Sequence, residues 1–350
     1  AYTEGGAAVS IADSDASIFD PDSPNMASAT VTLTNAQTGD RLLVNGSSAA
    51  SGVLASGISW TRSGASVILS GAHSAADYAA AVRLIAFENT GDDPAPSITR
   101  DVSVTVNDGL QTSNVAHAYI TVTAVNDAPV NTLPTNFATL EDTSLTLSGL
   151  GVSDVDSGAA TITVTLSVGS GSLVATSAGA VTASGSGTGT LTLSGTATAI
   201  NAYLSGASAP RYVPVTDASG FVTLTMTTND GGASGAGGAL TDVDTATIAI
   251  LAVNDAPDGA DRTVTIAEDA SYTFAAADFG FTDIHDSPAN ALQGVIIASL
   301  PSAGTLTLGG VAVSAGQTIA AAQIGALTWS PPANANGTAL ASFTFRVFDN

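Results

Sequence analysis

The chain is predicted to be all-β, a tandem series of antiparallel β-sandwiches, on three observations. A six-residue segment, Ala124-Val-Asn-Asp-Ala-Pro129, returns unchanged as Ala252-Val-Asn-Asp-Ala-Pro257, 128 residues later. Apolar and polar residues alternate over several short runs, the pattern of strands that bury one face. Thr, Ser, Gly and Val fill long stretches while aromatic residues make up only 5% of the 350 residues, which favours several shallow sandwiches over one large globule.

The repeat extends beyond that segment. Leu69-Ser-Gly71 and Leu193-Ser-Gly195 are 124 residues apart, Tyr78 and Tyr203 are 125 apart, and Asn107-Asp-Gly109 and Asn229-Asp-Gly231 are 122 apart. A period that drifts by a few residues marks duplicated modules that tolerate insertions in their loops. Boundaries near Pro129 and Pro257 give modules 1–128 and 129–256, with a third, 257–350, that lacks its C-terminal part. Val347-Phe-Asp349 matches Val106-Asn-Asp108, and module one places a further strand over 117–125 beyond that point. Asn350 is therefore read as a cut that leaves a sandwich with an unpaired edge.

Within module one, Val102, Val104 and Val106 alternate with polar residues, as do Ile120, Val122 and Ala124. The run 221–226 does the same in module two. Gly and Ser crowd 182–190, which predicts a turn. One helical turn per module is expected, around 74–82 and 196–204.

Charge narrows the function. Thirty acids face seven Arg and no Lys, for a net charge of -23, so nothing is present to neutralise nucleic-acid phosphates. Such an imbalance makes the compact state repel itself unless cations sit among the carboxylates. There is no Cys, which excludes disulfide staples and thiolate metal sites. No apolar run reaches the roughly 18 residues of a membrane span, and residues 1–4 are not a signal peptide.

The acids themselves repeat. Of four Glu, three (Glu4, Glu141 and Glu268) stand near the start of a module, and Glu141 and Glu268 follow Asp127 and Asp255 by 14 and 13 residues. About 13 residues after Glu141 comes Asp154-Val-Asp156, and the strand ends in Asn-Asp-Gly. Hard carboxylate and amide oxygens, without Cys and with only three His, favour Ca²⁺ over zinc or copper.

With V-N-D-A-P linkers, an early Glu, an Asp-x-Asp and a V-N-D-G strand end, the sequence resembles the cadherin-like repeats of large bacterial surface and secreted proteins. The linker is the most specific element, and the resemblance spans the whole chain. It implies cadherin-like, Ig-like sandwiches with calcium held between successive modules. The first junction would use Glu4, Asn126, Asp127, Asp154, Asp156 and Asp230. The second would use Glu141, Asn254, Asp255, Asp283, Asp286 and Asp349. Asp20, Asp22 and Asp108 would face a module upstream, and Glu268 one downstream.

Three departures qualify the resemblance. The D-R-E motif that brings two further ligands in true cadherins is missing, and module three reads Asp283-Ile-His285-Asp286 where Asp-x-Asp is expected. Fewer or weaker ions per junction would follow. Ala124 and Ala252 also replace the acid that precedes the linker Asn by two positions.

Asn-Asp-Ala-Pro and Asn-Asp-Gly also make turns without any metal. The Asp13-Ser-Asp15 and Asp154-Val-Asp156 runs fail as EF-hands, because Ile18 or Ala159 stands where the invariant Gly belongs. The Gly-rich stretch 231–238 reads as a flexible loop. His73, His117 and His285 share no motif with a nucleophile, and the carboxylates repeat at module ends as structural sites do, so no enzyme is expected. The leading reading is a calcium-stiffened stalk, bacterial and extracellular or at the cell surface, of an adhesion or biofilm type. Its partners are neighbouring modules of the same chain, and distal domains would take a host, surface or matrix ligand. The alternatives are a carbohydrate- or protein-binding region that uses exposed aromatics such as Trp60 or Trp329, and the non-catalytic repeats of a secreted enzyme.

Overall fold

The computed structural model describes residues 1–233 and 235–349. Strands dominate it, and its buried apolar residues fall into three clusters, one drawn from residues 2–122, one from 147–250 and one from 279–327. The sequence alternation explains the first cluster directly. Strand Asn25–Leu33 turns Ala29, Val31 and Leu33 inward and Thr30 and Thr32 outward. It lies at the centre of a six-stranded sheet in the order Ala116–Ile120, Arg100–Asn107, Asn25–Leu33, Ser66–Ser74, Ser59–Ser63, Ser51–Val53. A three-stranded sheet of Val9–Ser10, Ile85–Asn89 and Asp40–Val44 supplies Leu42, Val44 and Phe87 to the same core. Each such side chain contributes roughly 1.5–3 kcal/mol by leaving water.

Tyr2–Thr3 pairs in parallel with Val122–Thr123, tying the first residues of module one to its last strand. The helix Ala75–Arg83 follows the predicted turn. Ser74 caps it and Asp77 closes the capping box, so two orphan N–H groups are satisfied reciprocally. Fully buried Tyr78 donates to the Gly71 carbonyl at 2.7 Å. Module one also buries an ion pair, Arg100 Nε to Asp40 Oδ2 at 2.7 Å, with both side chains fully buried.

Module two repeats the plan. Its six-stranded sheet runs Asn136–Leu140, Thr241–Leu251, Gly220–Asn229, Ile162–Val168, Thr190–Gly195, Thr182–Ser184. The first pair is parallel, as at Tyr2–Thr3, and the next three are antiparallel. The helix Ala197–Leu204, capped by Thr196, again buries its tyrosine, Tyr203, which donates to the Thr176 carbonyl at 2.8 Å.

Module three keeps Gly294–Ile297 paired with Thr318–Ala320 and Phe345–Phe348, facing a four-stranded sheet that includes Thr305–Leu308 and Leu327–Ser330. A 3₁₀ turn, Ala321–Ala326, stands where the other modules have a helix.

Two expectations are corrected here. Trp60 is not an exposed aromatic: it sits inward in Ser59–Ser63, buried, against Gly52, whose missing Cβ would lie 2.7 Å from its Nε1. The Gly-rich stretch after Asp230 is not a free loop. Asn126 N donates to the Ala236 carbonyl at 2.9 Å and Ala236 N to the Ala124 carbonyl at 2.8 Å, so the loop is pinned on the linker.

Candidate metal centres at the module junctions

Both linkers are held by the same set of hydrogen bonds, and sequence-predicted residues make them. At the first junction the Glu4 carboxylate accepts from Val125 N at 2.8 Å, and at the second Glu141 accepts from Val253 N at 2.5 Å. Asn126 Nδ2 donates to Asp230 at 2.6 Å, and Asn254 Nδ2 to Asp349 at 3.2 Å. Asp127 N donates to Asp156 at 2.5 Å, and Asp255 N to Asp286 at 3.2 Å. Asp286 thus takes the place of Asp156, although His285 and not Asp stands at the neighbouring position.

Local backbone chemistry positions these acids. Asp154 Oδ1 accepts from Asp156 N and Ser157 N at 3.0 and 2.9 Å, an Asx turn that leaves its other oxygen buried without a hydrogen-bond partner. Asp20 repeats the turn at the far end of module one, accepting from Asp22 N and Ser23 N at 3.1 Å each, while Ser23 Oγ donates to Asp108 at 2.7 Å. Asp230 takes backbone bonds from Gly232 N and Leu240 N, and so serves its hairpin and the linker together. Asp283 accepts from Asn290 N. Glu268, the downstream candidate, is exposed.

The structure adds acids that sequence reasoning missed. At the second junction, carboxylate oxygens of Glu141, Asp255 and Asp286 lie within 4.8 Å of one another, as do those of Asp283, Asp286 and Asp349. A third group joins Asp255 to Asp142 and Asp217. Asp217 follows Asp92 by 125 residues, the separation of Tyr203 from Tyr78, and Asp92 presses on Glu4 as Asp217 presses on Asp255. That register was the available signal. Asn290 was also missed; it caps Asn254 Oδ1 with its own amide and reaches Asp286 at 3.3 Å. Among the described residues no three carboxylates at the first junction meet within the same distance.

Crowding shows in the proton affinities. Burial, then the charges of Asp127, Asp156 and Asp92, raise the Glu4 carboxyl above its ordinary range. Asp156 is raised by burial and by Asp127, Asp154 and Asp93. Asp255 is raised by desolvation and by Asp217, Asp286, Glu141 and Asp142. Burial pushes Asp230 the same way, but hydrogen bonds from Leu240, Asn126 and Gly232 prevail and hold it below the usual value. Bonds from Gln111, Ser23 and Leu110 take Asp108 down to about 2. His285 Nδ1 lies 2.7 Å from Asp217, which raises its affinity for a proton.

A cation's fit is tested by the oxygens that have no protein partner. Six buried side-chain oxygens among the described residues accept or donate no hydrogen bond, and five of them are Asn126 Oδ1, Asp154 Oδ2, Asp255 Oδ2, Asp283 Oδ1 and Asp349 Oδ2. The sixth is the Tyr212 hydroxyl. Leaving such a group unsatisfied costs about 1–3 kcal/mol, and more when it is charged. Five such oxygens lie at the two linkers, all from predicted positions, and carboxylate and amide oxygens are the donor type that hard divalent cations take.

No protein family and no curated protein matches the chain by sequence. Solved structures similar to it include protocadherin gamma B2 extracellular cadherin domains 3–6, at 16% identity and TM-score 0.34 over 77% of this chain and 57% of that one. The chain thus spans a little over half of that structure. Human CDH23 EC21-23 is similar at 14% identity and TM-score 0.35, covering 98% of this chain and 96% of that one. Mouse cadherin-23 EC22-24 gives 14%, 0.30, 99% and 95%. The fold assignment, all-β antiparallel sheets in tandem, rests on the strands described above.

Proposed function

We propose that the chain is a stalk: β-sandwich modules 1–128, 129–256 and 257–350 in series, stiffened by Ca²⁺ at the joints, in a bacterial cell-surface or secreted adhesin-type protein outside the cell. The five partnerless oxygens at the two linkers carry this reading. Glu4, Asn126, Asp127, Asp154, Asp156 and Asp230 would hold the ion at the first joint. Glu141, Asn254, Asp255, Asp283, Asp286 and Asp349 would hold it at the second, joined by Asp142 and Asp217. Bound, the ion supplies positive charge to acids that otherwise repel. Asp20, Asp22 and Asp108 would serve an upstream module and Glu268 a downstream one. Extracellular sites of this kind bind at roughly 10⁻⁴ to 10⁻³ M, so millimolar surroundings fill them.

The chain has no Cys, so Ser63→Cys with Ser314→Cys places two labels cleanly on modules one and three. Their distance distribution, read by single-molecule energy transfer, is expected to narrow and lengthen when calcium replaces chelator. A distribution that calcium leaves unchanged at millimolar levels refutes the stalk.

A further inference from the structure

Module two buries a polar node that lies outside the set of candidate ligands. Thr228 is fully buried and Asn131 nearly so. The Thr228 hydroxyl donates to Asn131 Oδ1 at 2.5 Å, Asn131 Nδ2 donates to the Met226 carbonyl at 3.4 Å, and Asn131 N donates to Asp242 Oδ2 at 2.7 Å. Thr228 and Asp242 are partners across the ladder of Gly220–Asn229 with Thr241–Leu251. Asn131 therefore ties the short strand Val130–Thr132 to both of the module's last strands.

The fold does not require polar groups at these places. Gly259 follows Asp255 by four residues as Asn131 follows Asp127, and Val347 precedes Asp349 by two as Thr228 precedes Asp230. A Cβ on Gly259 would lie 3.3 Å from Val347 Cγ2, so the two positions are neighbours in module three as well, and neither has a side chain that can hydrogen-bond. Burying an amide and a hydroxyl where apolar atoms would serve carries a desolvation cost that the bonds between them offset. What the polar pair adds is a fixed geometry.

That geometry is shared with the first joint. Asn131 lies four residues beyond Asp127 and Thr228 two before Asp230, while Val130–Thr132 pairs with Gly151–Ser153, which runs directly into Asp154. The bond from Asn126 Nδ2 to Asp230, at 2.6 Å, closes the circuit at its other end. The node thus sets the separation of three segments: the linker with Asn126 Oδ1, the turn with Asp154 Oδ2, both oxygens buried and without partners, and the hairpin with Asp230.

Resting on the calcium reading of the joints, we propose that Asn131 and Thr228 are positioning residues for the first joint. They touch no cation; they hold the linker, the Asp154 turn and the Asp230 hairpin at the spacing at which oxygens of the three converge on one. Site rigidity is one of the properties that tune calcium affinity, and a cage whose ligands are already in place binds more tightly because less ordering accompanies binding. The second joint, with Gly259 and Val347 at these places, lacks the device.

The test follows amide exchange of peptides covering 124–128 and 252–256 against calcium concentration, in the wild type and in three variants of the full chain. Thr228→Val removes the hydroxyl at nearly constant shape, and Thr228→Ser keeps it. Thr228→Val with Asn131→Leu removes both partners, so that neither is left buried and alone. Thermal unfolding in chelator reads stability separately. Thr228→Val is expected to raise the calcium concentration for half-protection of 124–128 about tenfold, the effect of one lost hydrogen bond, and to leave that of 252–256 unchanged. Thr228→Ser is expected to behave as the wild type. The doubly apolar variant is expected to regain the unfolding midpoint in chelator but not the calcium midpoint, a split that a merely structural bond would not produce. Equal calcium midpoints at 124–128 in the wild type and Thr228→Val, or a midpoint recovered together with stability in the double variant, overturn the positioning role and leave the calcium reading standing. A wild type whose 124–128 amides ignore calcium overturns both.

Discussion

Gly235→Ala should release the loop that grips the first linker. Gly235 has φ +69, a region that costs an L-residue about 1–2 kcal/mol. A Cβ there would lie 2.5 Å from Asn126 N and 2.6 Å from Val125 C, both backbone atoms that cannot step aside. The cheaper response is for the loop to lift, which forfeits the Asn126 N to Ala236 O and Ala236 N to Ala124 O bonds. At roughly 0.5–1.5 kcal/mol each, that is about 1–3 kcal/mol of local stability. With 1.4 kcal/mol per factor of ten, exchange of the Asn126 and Ala236 amides should accelerate by about 5- to 150-fold. Gly238→Ala is the control, because φ is +105 there but no atom lies within 4 Å of its Cβ. Hydrogen exchange on peptides covering 124–128 and 235–239 reads the result. Equal rates in the two variants, or wild-type rates in Gly235→Ala, refute the clamp.

Two further outcomes follow from buried charge. Arg100→Met leaves Asp40 buried without its cation and should destabilise module one by about 3–5 kcal/mol, whereas Arg100→Met with Asp40→Leu should cost less; urea unfolding of the two variants decides. The raised carboxyls of Glu4, Asp156 and Asp255 make the native chain bind more protons than the unfolded one from their ordinary values of 4.5 and 3.8 upward. Metal-free stability from these groups therefore falls as pH rises through that window. Asp108 and Asp230, held low, contribute stability that is present above 3.8 and lost as pH falls, for Asp108 towards about 2. Calorimetry in metal-free buffer should accordingly find a lower midpoint at neutral pH than at about pH 5, with calcium shrinking or reversing the difference; a metal-free midpoint that rises between those values contradicts the crowding.

Much of this was legible in the sequence because it rests on periodicity. Period-2 alternation located the strands Arg100–Asn107 and Gly220–Asn229, and the helical turns expected around 74–82 and 196–204 are the helices Ala75–Arg83 and Ala197–Leu204. The junction acids were legible because they recur at fixed offsets from an invariant linker. Asp142 and Asn290 were not, since loop residues reach the joint through tertiary folding that spacing along the chain does not encode, and the 125-residue register of Asp92 with Asp217 was a signal passed over. The loop clamp was hidden for a similar reason: glycines at 231–238 look like freedom in sequence, but Gly235 is there because only hydrogen fits against Asn126. Trp60 shows a signal passed over, for Ser59-Trp-Thr-Arg-Ser63 alternates and places the indole inward.

The joint as a cation site is tested most directly by thermal unfolding with calcium and with excess chelator, in the wild type and in Asp127→Ala with Asp154→Ala. For a dissociation constant near 10⁻⁴ M, 10 mM calcium adds about 2.7 kcal/mol per site. Unfolding entropy of roughly 2.1 cal/mol/K per residue over the 128 residues of a module converts this to a midpoint shift of about 10 °C. The account expects that shift in the wild type and the loss of most of it, for the transition of the first two modules, in the double variant. Equal midpoints with calcium and with chelator would mean that the acidic linkers are turns and nothing more.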